Sequence, residues 1–155
     1  MSSKHRKVLI AVDASEHSRW SFDWYLDHIM RPDDHVHFYH VFEAPSLPPI
    51  SMSNLTNIPT EEWGNRLQEK IQSIAMMEQD YQTDCQRKQL KCSFINENRD
   101  HTGESICEEA VKCNATLILV GSRGLGALKR TILGSVSDYV LHHSKVPVLM
   151  VPPKK

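Results

Sequence analysis

Five short apolar segments alternate along the chain with longer amphipathic ones. The apolar segments are rich in branched side chains, which is typical of strands buried within a sheet. They lie at Lys7 to Val12, His35 to Val41, Lys91 to Asn96, Thr116 to Val120 and Val146 to Val151. Between them, apolar residues recur every three or four positions, which predicts helices. The alternation of strand and helix predicts parallel βα units in a doubly wound α/β sheet.

The helices are predicted from their capping residues and from the side chains expected to face the core. Ser15 can cap the first helix, and Pro32 is expected to end it. The others are predicted to start at Thr60, near Gly103 and at Ser135, the last running to His143. The expected core positions are Phe22, Leu26 and Ile29, then Leu67, Ile71, Ile74, Tyr81 and Cys85, then Ile106, Ala110 and Val111.

The length of 155 residues suits one domain, spanning residues 1–155. Within it, residues 44–60 carry four prolines with Ser, Asn and Met between them, which predicts a long Pro-rich loop. Loops of this length in compact domains are often functional, although a merely mobile segment is the alternative.

The predicted topology indicates where a ligand would bind. We expect an open sheet of five parallel strands in the order 3-2-1-4-5, with helices on both faces and right-handed crossovers. The order reverses between strands 1 and 4, and ligands bind beyond the carboxyl ends of strands at such a reversal. Asp13 follows strand 1 and Gly121 follows strand 4, so both should border one crevice, with Val41 beside them. Pro147 marks the last strand as an edge strand.

The amino-acid composition argues against several classes of function for this chain. The formal net charge is -1, with acidic and basic residues interspersed, which argues against a nucleic-acid surface. No Cys-x-x-Cys pair, signal peptide or apolar run of membrane length is visible, so we expect a cytoplasmic protein with reduced thiols and no membrane contact. His35 and His37 should share one strand face and His40 the other, which makes a metal site at this trio a weak hypothesis.

A glycine-rich segment follows the fourth strand, with Gly121, Gly124 and the pair Gly134-Ser135 separated by two and nine residues. Glycines let backbone N–H groups approach a ligand, and a helix N-terminus adds unpaired N–H groups and partial positive charge. The segment is not a P-loop, since Lys129 is followed by Arg. It is not a dinucleotide fingerprint either, because Lys129 stands where the third glycine belongs.

This spacing resembles the nucleotide-binding motif of the universal stress protein family. The similarity continues through the predicted last helix and last strand, and the opening Val8 to Ser15 resembles the family's first strand and acidic residue. The resemblance implies a fold like that of the adenine-nucleotide α-hydrolases, binding of ATP (or ADP or AMP) with Mg²⁺, and a homodimer formed through Val146 to Val151. The nucleotide-binding residues are then expected to be Val12, Asp13, Ala14, Val41, Gly121, Ser122, Arg123, Gly124, Gly134, Ser135, Val136 and Ser137.

Individual roles follow in part from chemistry and in part from the resemblance. Asp13 can accept hydrogen bonds from ribose hydroxyls or help to hold Mg²⁺, with a helix cap as the alternative. Ser135 can be a phosphate ligand, a helix cap, or both. The resemblance places the backbone of Val41 against adenine. Gly121→Val and Gly134→Val are both expected to abolish ATP binding while leaving the fold largely intact.

No Ser/His/Asp order and no carboxylate placed to activate water is evident, so the chain is expected to be at most a slow ATPase. The resemblance implies an ATP-binding stress-response regulator or nucleotide-dependent switch with an unknown protein partner. Two alternatives stay open. One is an ATP-consuming enzyme on a related adenine-binding α/β fold, and the other is a nucleotide-free interaction scaffold.

Overall fold

The computed structural model describes residues 5–46, 60–122 and 134–154 of the chain. Within these ranges strands and helices alternate, as predicted. In chain order the elements are β1 (Lys7–Ala11), α1 (Glu16–His28), β2 (His35–Phe42), α2 (Thr60–Arg87), β3 (Lys91–Asn98), α3 (Thr102–Lys112), β4 (Leu117–Gly121), α4 (Ser135–His143) and β5 (Val148–Val151).

The strands form one five-stranded parallel sheet in the order β3-β2-β1-β4-β5, which confirms the predicted fold class and topology. The central strand β1 pairs with β2 on one side and β4 on the other, so Leu9 lies between His37 and Ile118. The strands that precede β4 along the chain are added on one side of β1, and β4 and β5 are added on the other, so the strand order reverses between β1 and β4. The carboxyl ends of β1 and β4 therefore border a crevice.

Two apolar cores lie on the two faces of the sheet, because side chains alternate along each strand. Val8, Ile10 and Phe38 face α1 and α2, where they pack against Phe22 and Tyr81. The opposite core joins the sheet to α3 and α4, through Leu9, Tyr39, Ile118, Ile106 and Val140. The prediction of helices on both faces is confirmed.

The first helix is shorter than predicted, and of its three predicted core residues Phe22 is fully buried while Leu26 and Ile29 pack against the core from its edge. It ends at His28 with Ile29 as its C-cap, before Pro32 is reached. Leu26 and Ile29 are only partly buried, whereas the fully buried face consists of Ser18, Ser21, Phe22 and Tyr25. The polar members of this face have partners inside the protein: the Tyr25 hydroxyl donates to Asp34 at 2.6 Å.

Two predicted core positions are wrong. Ile71 is 59% exposed and Val111 is 52% exposed. In α2 the buried side chains are Met77, Tyr81 and Cys85, all in its second half. In α3 the inward position beside Ile106 and Ala110 belongs to Glu109, whose carboxylate meets His37 at 3.0 Å. A hydrogen-bonding contact between α3 and β2 therefore accounts for this inward position, which the apolar pattern did not predict.

The strand ends also differ slightly from the prediction. β2 and β3 pair over eight residues, as far as Phe42 and Asn98. β5 begins at Val148, and its edge position beside β4 is as predicted. Of the predicted Pro-rich loop 44–60, residues 47–59 lie outside the described residues. Within the described ranges, none of the helices combines the length and apolar character that a bilayer crossing requires.

Candidate functional site

A cleft of about 230 Å³ opens at the predicted reversal of strand order. The ends of β1, β2 and β4 and the first turn of α4 line it. Most of the predicted site residues are here, namely Val12, Asp13, Val41, Gly121, Gly134, Ser135, Val136 and Ser137. The sequence prediction that these distant segments share one crevice is therefore confirmed, although their ligand is a separate question.

The other four predicted residues are placed differently. Ala14 lines an adjoining cavity of about 300 Å³, which shares Asp13, Val41 and Thr102 with the first. The Ser122 amide donates to the Val151 carbonyl at 2.9 Å, so it already belongs to the sheet and is not available to a phosphate. Arg123 and Gly124 lie outside the described residues.

The turn between β1 and α1 is held by its own side chains. Asp13 Oδ1 accepts hydrogen bonds from the Ser15 amide at 2.9 Å and from the Ser15 hydroxyl. The Asp13 amide donates to Ser18 Oγ at 3.0 Å. Ser15 is the N-cap of α1, with its hydroxyl oxygen accepting from the Ser18 amide at 3.2 Å. The alternative in which Asp13 caps the helix is thus wrong, because Asp13 instead fixes the turn that precedes the cap.

Helix α2 fixes this turn from outside. The hydroxyl of Ser18 lies 3.1 Å from that of Tyr81, which is buried on α2. Burial raises the pKa of Tyr81, which keeps its phenol protonated and available for this hydrogen bond. Arg19 also bonds Asp84 of α2. One wall of the cleft is therefore locked to a neighbouring helix.

The first turn of α4 forms the opposite wall. Gly134 is the N-cap, with φ -63° and ψ 146°, and Ser135 is the first helical residue. Ser135 therefore does not cap the helix, so that alternative is wrong. The Gly134 carbonyl accepts the first helical bond, from the Asp138 amide at 2.9 Å. The amides of Ser135, Val136 and Ser137 precede the helical ladder, so this end offers N–H donors and partial positive charge to the cleft.

The two cleft glycines have different structural roles. A Cβ on Gly121 would overlap Ser21 Oγ and lie 3.0 Å from the His17 carbonyl oxygen, both on α1. Gly121 is thus required for close packing of β4 against α1, and the expectation that Gly121→Val leaves the fold largely intact is wrong. Among the residues that the structure describes, a Cβ on Gly134 would meet only Ser137 Oγ, at an ordinary 3.6 Å. The described part of the fold therefore has room for a Cβ at Gly134.

The floor of the cleft is mostly apolar. Tyr39, Ile106 and Val120 are almost fully buried beneath it. The Tyr39 hydroxyl donates to Glu97 at 2.7 Å. Burial and this bond raise the pKa of Tyr39 to about 12, so its phenol stays neutral. An apolar floor with polar walls suits a ligand that has both a flat apolar part and a charged part.

Sequence reasoning missed several lining residues, including His17 and Ser18 of α1 and Thr102 of α3. The carboxyl end of β3 is at the same edge of the sheet as those of β1 and β4, so α3 begins beside the cleft. The signal that could have identified Thr102 is its position just after β3, a strand end that the prediction from β1, β2 and β4 did not include.

The adjoining cavity lies beneath α2 and is lined by both charged and apolar residues. His40 and Lys70 line it, and His40 Nδ1 lies 3.0 Å from Asn96 Oδ1. Burial lowers the pKa of His40, so its imidazole is neutral near pH 7. His37 lies across the sheet, against Glu109 of α3. The predicted separation of His37 and His40 to opposite faces is confirmed.

Comparison with known sequences now settles the family. The sequence model described as the Universal stress protein family matches residues 4–152. The chain belongs to the universal stress protein family. Universal stress protein PHOS34 from Arabidopsis thaliana is 32% identical over 171 residues, covering 94% of this chain. The alignment covers 61% of PHOS34, so the chain spans about three fifths of that relative.

Solved structures agree on the architecture of this universal stress protein. The hypothetical protein MJ0577 superposes with a TM-score of 0.72 at 24% identity, covering 97% of this chain and 98% of that one. A universal stress protein from Arabidopsis thaliana, At3g01520, was solved with AMP bound. It superposes with a TM-score of 0.63 at 22% identity, covering 96% of this chain and 92% of its own. These similarities show that the fold is shared.

Proposed function

We propose that this universal stress protein binds an adenine nucleotide in the cleft, with the phosphates at the first turn of α4. The observation that carries the proposal is the amino end of α4, which turns toward the cleft at the point where the strand order reverses. A helix amino end at this position in an α/β sheet is suited to phosphate. The AMP bound to the related Arabidopsis protein supports adenine as the base.

The lining residues suggest how the nucleotide lies. Amides of Ser135, Val136 and Ser137 would donate to phosphate oxygens. Asp13 and Val41 line both cavities and so lie between the phosphate end and the cavity beneath α2. We place the ribose near Asp13 and the base against Val41, where apolar contact and backbone groups recognise it.

Charge supports a role for Mg²⁺. Among the described residues that line the first cavity there is no Lys or Arg, and the helix end supplies only partial charge. A triphosphate would need further neutralisation. Mg²⁺ bound to the phosphates and to Asp13 could supply it, because Mg²⁺ commonly pairs one carboxylate with substrate phosphates. Arg123 is a second candidate from sequence.

The same lining argues for binding with slow turnover. Asp13 is the carboxylate of the first cavity within the described chain, and Ser15 holds one of its oxygens. A general base must be able to accept a proton from water, whereas this carboxylate accepts hydrogen bonds from Ser15 and, in our proposal, also binds Mg²⁺. We therefore propose a nucleotide-dependent switch that engages a protein partner in its ATP-bound state.

Isothermal titration calorimetry with ATP, ADP and AMP, each with and without Mg²⁺, tests the proposal, with GTP as the control for the base. We expect one site per chain, tighter binding of ATP when Mg²⁺ is present, and markedly weaker binding of GTP. Absence of binding by every nucleotide would favour the scaffold alternative. Many turnovers per second in a steady-state phosphate-release assay would favour the enzyme alternative.

We also propose a homodimer formed along β5, which is an edge strand with half-buried apolar side chains. The carbonyls of Pro147 and Val151 accept from β4, so the backbone groups of Val148 and Met150 point away from the sheet. Met150→Pro should convert the dimer to a monomer without removing a bond between β4 and β5. Light scattering that finds only monomer in the unmodified protein at micromolar concentration would contradict the dimer.

A further inference from the structure

A second group of ligand-type side chains lies at the other end of α3, away from the cleft. Glu109 and Cys113 are four residues apart at the end of α3 and so project from one face. His37 of β2 lies beneath them. Their ligand atoms (imidazole nitrogen, carboxylate oxygen and thiol sulfur) all lie within 4.8 Å of one another.

Two of these side chains are buried and already oriented. His37 is 8% exposed and Glu109 is 4% exposed. Nε2 of His37 lies 3.0 Å from Glu109 Oε1, while its Nδ1 lies 2.7 Å from Ser93 Oγ. The second carboxylate oxygen of Glu109 pairs with Lys112 Nζ at 3.1 Å. Outer partners of this kind, which fix the ring and the carboxylate, are typical of metal ligands.

We propose that His37 Nε2, Glu109 Oε1 and Cys113 Sγ bind one Zn²⁺ ion, with water as the fourth ligand. Nitrogen, oxygen and sulfur donors together suit zinc, which is borderline-soft and tetrahedral. Bond lengths of about 2.0–2.3 Å place tetrahedral ligands roughly 3.3–3.6 Å apart, so the cluster must close by about 1 Å. Rotation of Cys113, which is only partly buried, can supply this movement.

Proton balance is simple at this site. The Cys113 thiol proton leaves to solvent as the Zn–S bond forms, and the thiol gives up its weak 3.8 Å contact with the Ala110 carbonyl. Zn²⁺ binds the bare Nε2 of a neutral imidazole, whose single N–H is then on Nδ1 and donates to Ser93 Oγ. Any other proton between Nε2 and Glu109 Oε1 leaves to solvent, and the Lys112 pair with the second carboxylate oxygen is retained.

This inference does not depend on nucleotide binding. The cluster lies near the amino ends of the strands, whereas the cleft lies at their carboxyl ends. The two sites share β2 and α3, whose opposite ends they use: Val41 and Thr102 line the cleft, whereas His37 and Glu109 belong to the cluster. A bound ion would tie the far end of this helix to β2.

Cobalt spectroscopy tests the site directly. The full chain, stripped with chelator and kept reduced with a phosphine, is titrated with Co²⁺ without oxygen. We expect one equivalent to give the strong visible bands of tetrahedral Co²⁺ and a near-ultraviolet thiolate-to-cobalt band, and equimolar Zn²⁺ to abolish both. Cys113→Ser should lose the thiolate band and bind Zn²⁺ at least about tenfold more weakly. Cys107→Ser, on the same helix, is the matched control and should keep both.

The results of the cobalt titration and of thermal melting distinguish a metal ligand from a residue needed for folding. A weak octahedral spectrum from the folded protein would overturn the proposal, as would a thiolate band that persists in Cys113→Ser. Metal-free melting of Cys113→Ser close to that of the unmodified protein shows that the loss reflects a ligand and not the fold. Zn²⁺ should then raise the melting temperature of the unmodified chain and not of this variant.

Discussion

The two walls of the cleft differ in how their hydrogen bonds are used. In the β1–α1 turn, Asp13, Ser15 and Ser18 bond one another, and Tyr81 joins them from α2. In the first turn of α4, the N-cap is Gly134, which has no side chain to satisfy the amides that follow. The first wall is internally satisfied and rigid. The second presents donors to whatever occupies the cleft.

This difference separates structural from ligand-binding positions among residues that look alike in sequence. The first wall follows strand β1 and the second follows Gly134, and both carry serines. Only their partners distinguish them: Ser15 caps its helix, whereas Ser135 is the first residue of its own. Substitutions on the first wall should act mainly on stability, and those on the second mainly on binding.

The largest effect is expected at Gly134. Gly134→Val places a branched side chain beside the α4 amides, in space that the phosphates are proposed to fill, while the fold tolerates a Cβ there. We expect ATP affinity to fall at least about a hundredfold, roughly 2.7 kcal/mol, in calorimetric titration. The melting temperature should change little. Unchanged affinity would show that the phosphates lie elsewhere.

In contrast to the change at Gly134, a substitution at Gly121 is expected to lower the stability of the fold. Gly121→Ala forces a methyl group against Ser21 Oγ and the His17 carbonyl. Overpacking of this kind costs about 1–3 kcal/mol of unfolding free energy, measurable by urea denaturation. Adding Ser21→Ala removes one of the two obstructing atoms and should recover part of the loss. A double variant no more stable than Gly121→Ala alone would assign the strain to the backbone oxygen.

Substitution of one serine in each wall, Ser15 and Ser135, should show the same difference with smaller changes in stability. Ser15→Ala removes an N-cap and should cost about 1 kcal/mol of stability. Ser135→Ala removes a hydroxyl from a position that does not cap, so its stability should stay within about 0.5 kcal/mol of the unmodified protein. Thermal melts of both variants, paired with ATP titration, measure this. Equal destabilisation by the two changes would erase the proposed distinction between the walls.

The smallest expected effect is a pH dependence at His40. Burial lowers its pKa below the ordinary 6.5, so the unfolded chain takes up a proton before the folded one does. Stability should therefore fall as pH drops through about 6.5 toward the folded pKa. His40→Gln should reduce the slope of unfolding free energy against pH in this window. An unchanged slope would mean that His40 does not contribute.

The fold and the position of the cleft were predictable because they depend on patterns close along the chain. Branched apolar runs, helical spacing and the alternation of elements were enough to place Asp13, Val41 and Gly121 at one edge of the sheet. The same patterns could not reveal the neighbour of Gly121, because Ser21 and His17 meet it only after α1 packs on β4. Nor could they show that the Ser122 amide donates a hydrogen bond to Val151 of β5.

A periodic pattern could not reveal buried polar contacts either. Val111 looks like a core residue and Glu109 like a surface one, yet Glu109 is buried because His37, 72 residues away in sequence, meets its carboxylate. Such pairs depend on tertiary contact rather than on local spacing. Ile71 was predicted as a core residue and is exposed, because the buried side chains of α2 fall in the second half of that helix.

The central claim is that backbone amides at the start of α4 hold the phosphates. Nitrogen–proton correlation spectra recorded during titration with Mg²⁺ and ATP observe these amides one by one. We predict that the resonances of Ser135, Val136 and Ser137 shift most and saturate together, while the amide of Ser122 within the sheet moves less. Saturating ATP that leaves the α4 amides unmoved, with the largest shifts at another surface, would contradict the account.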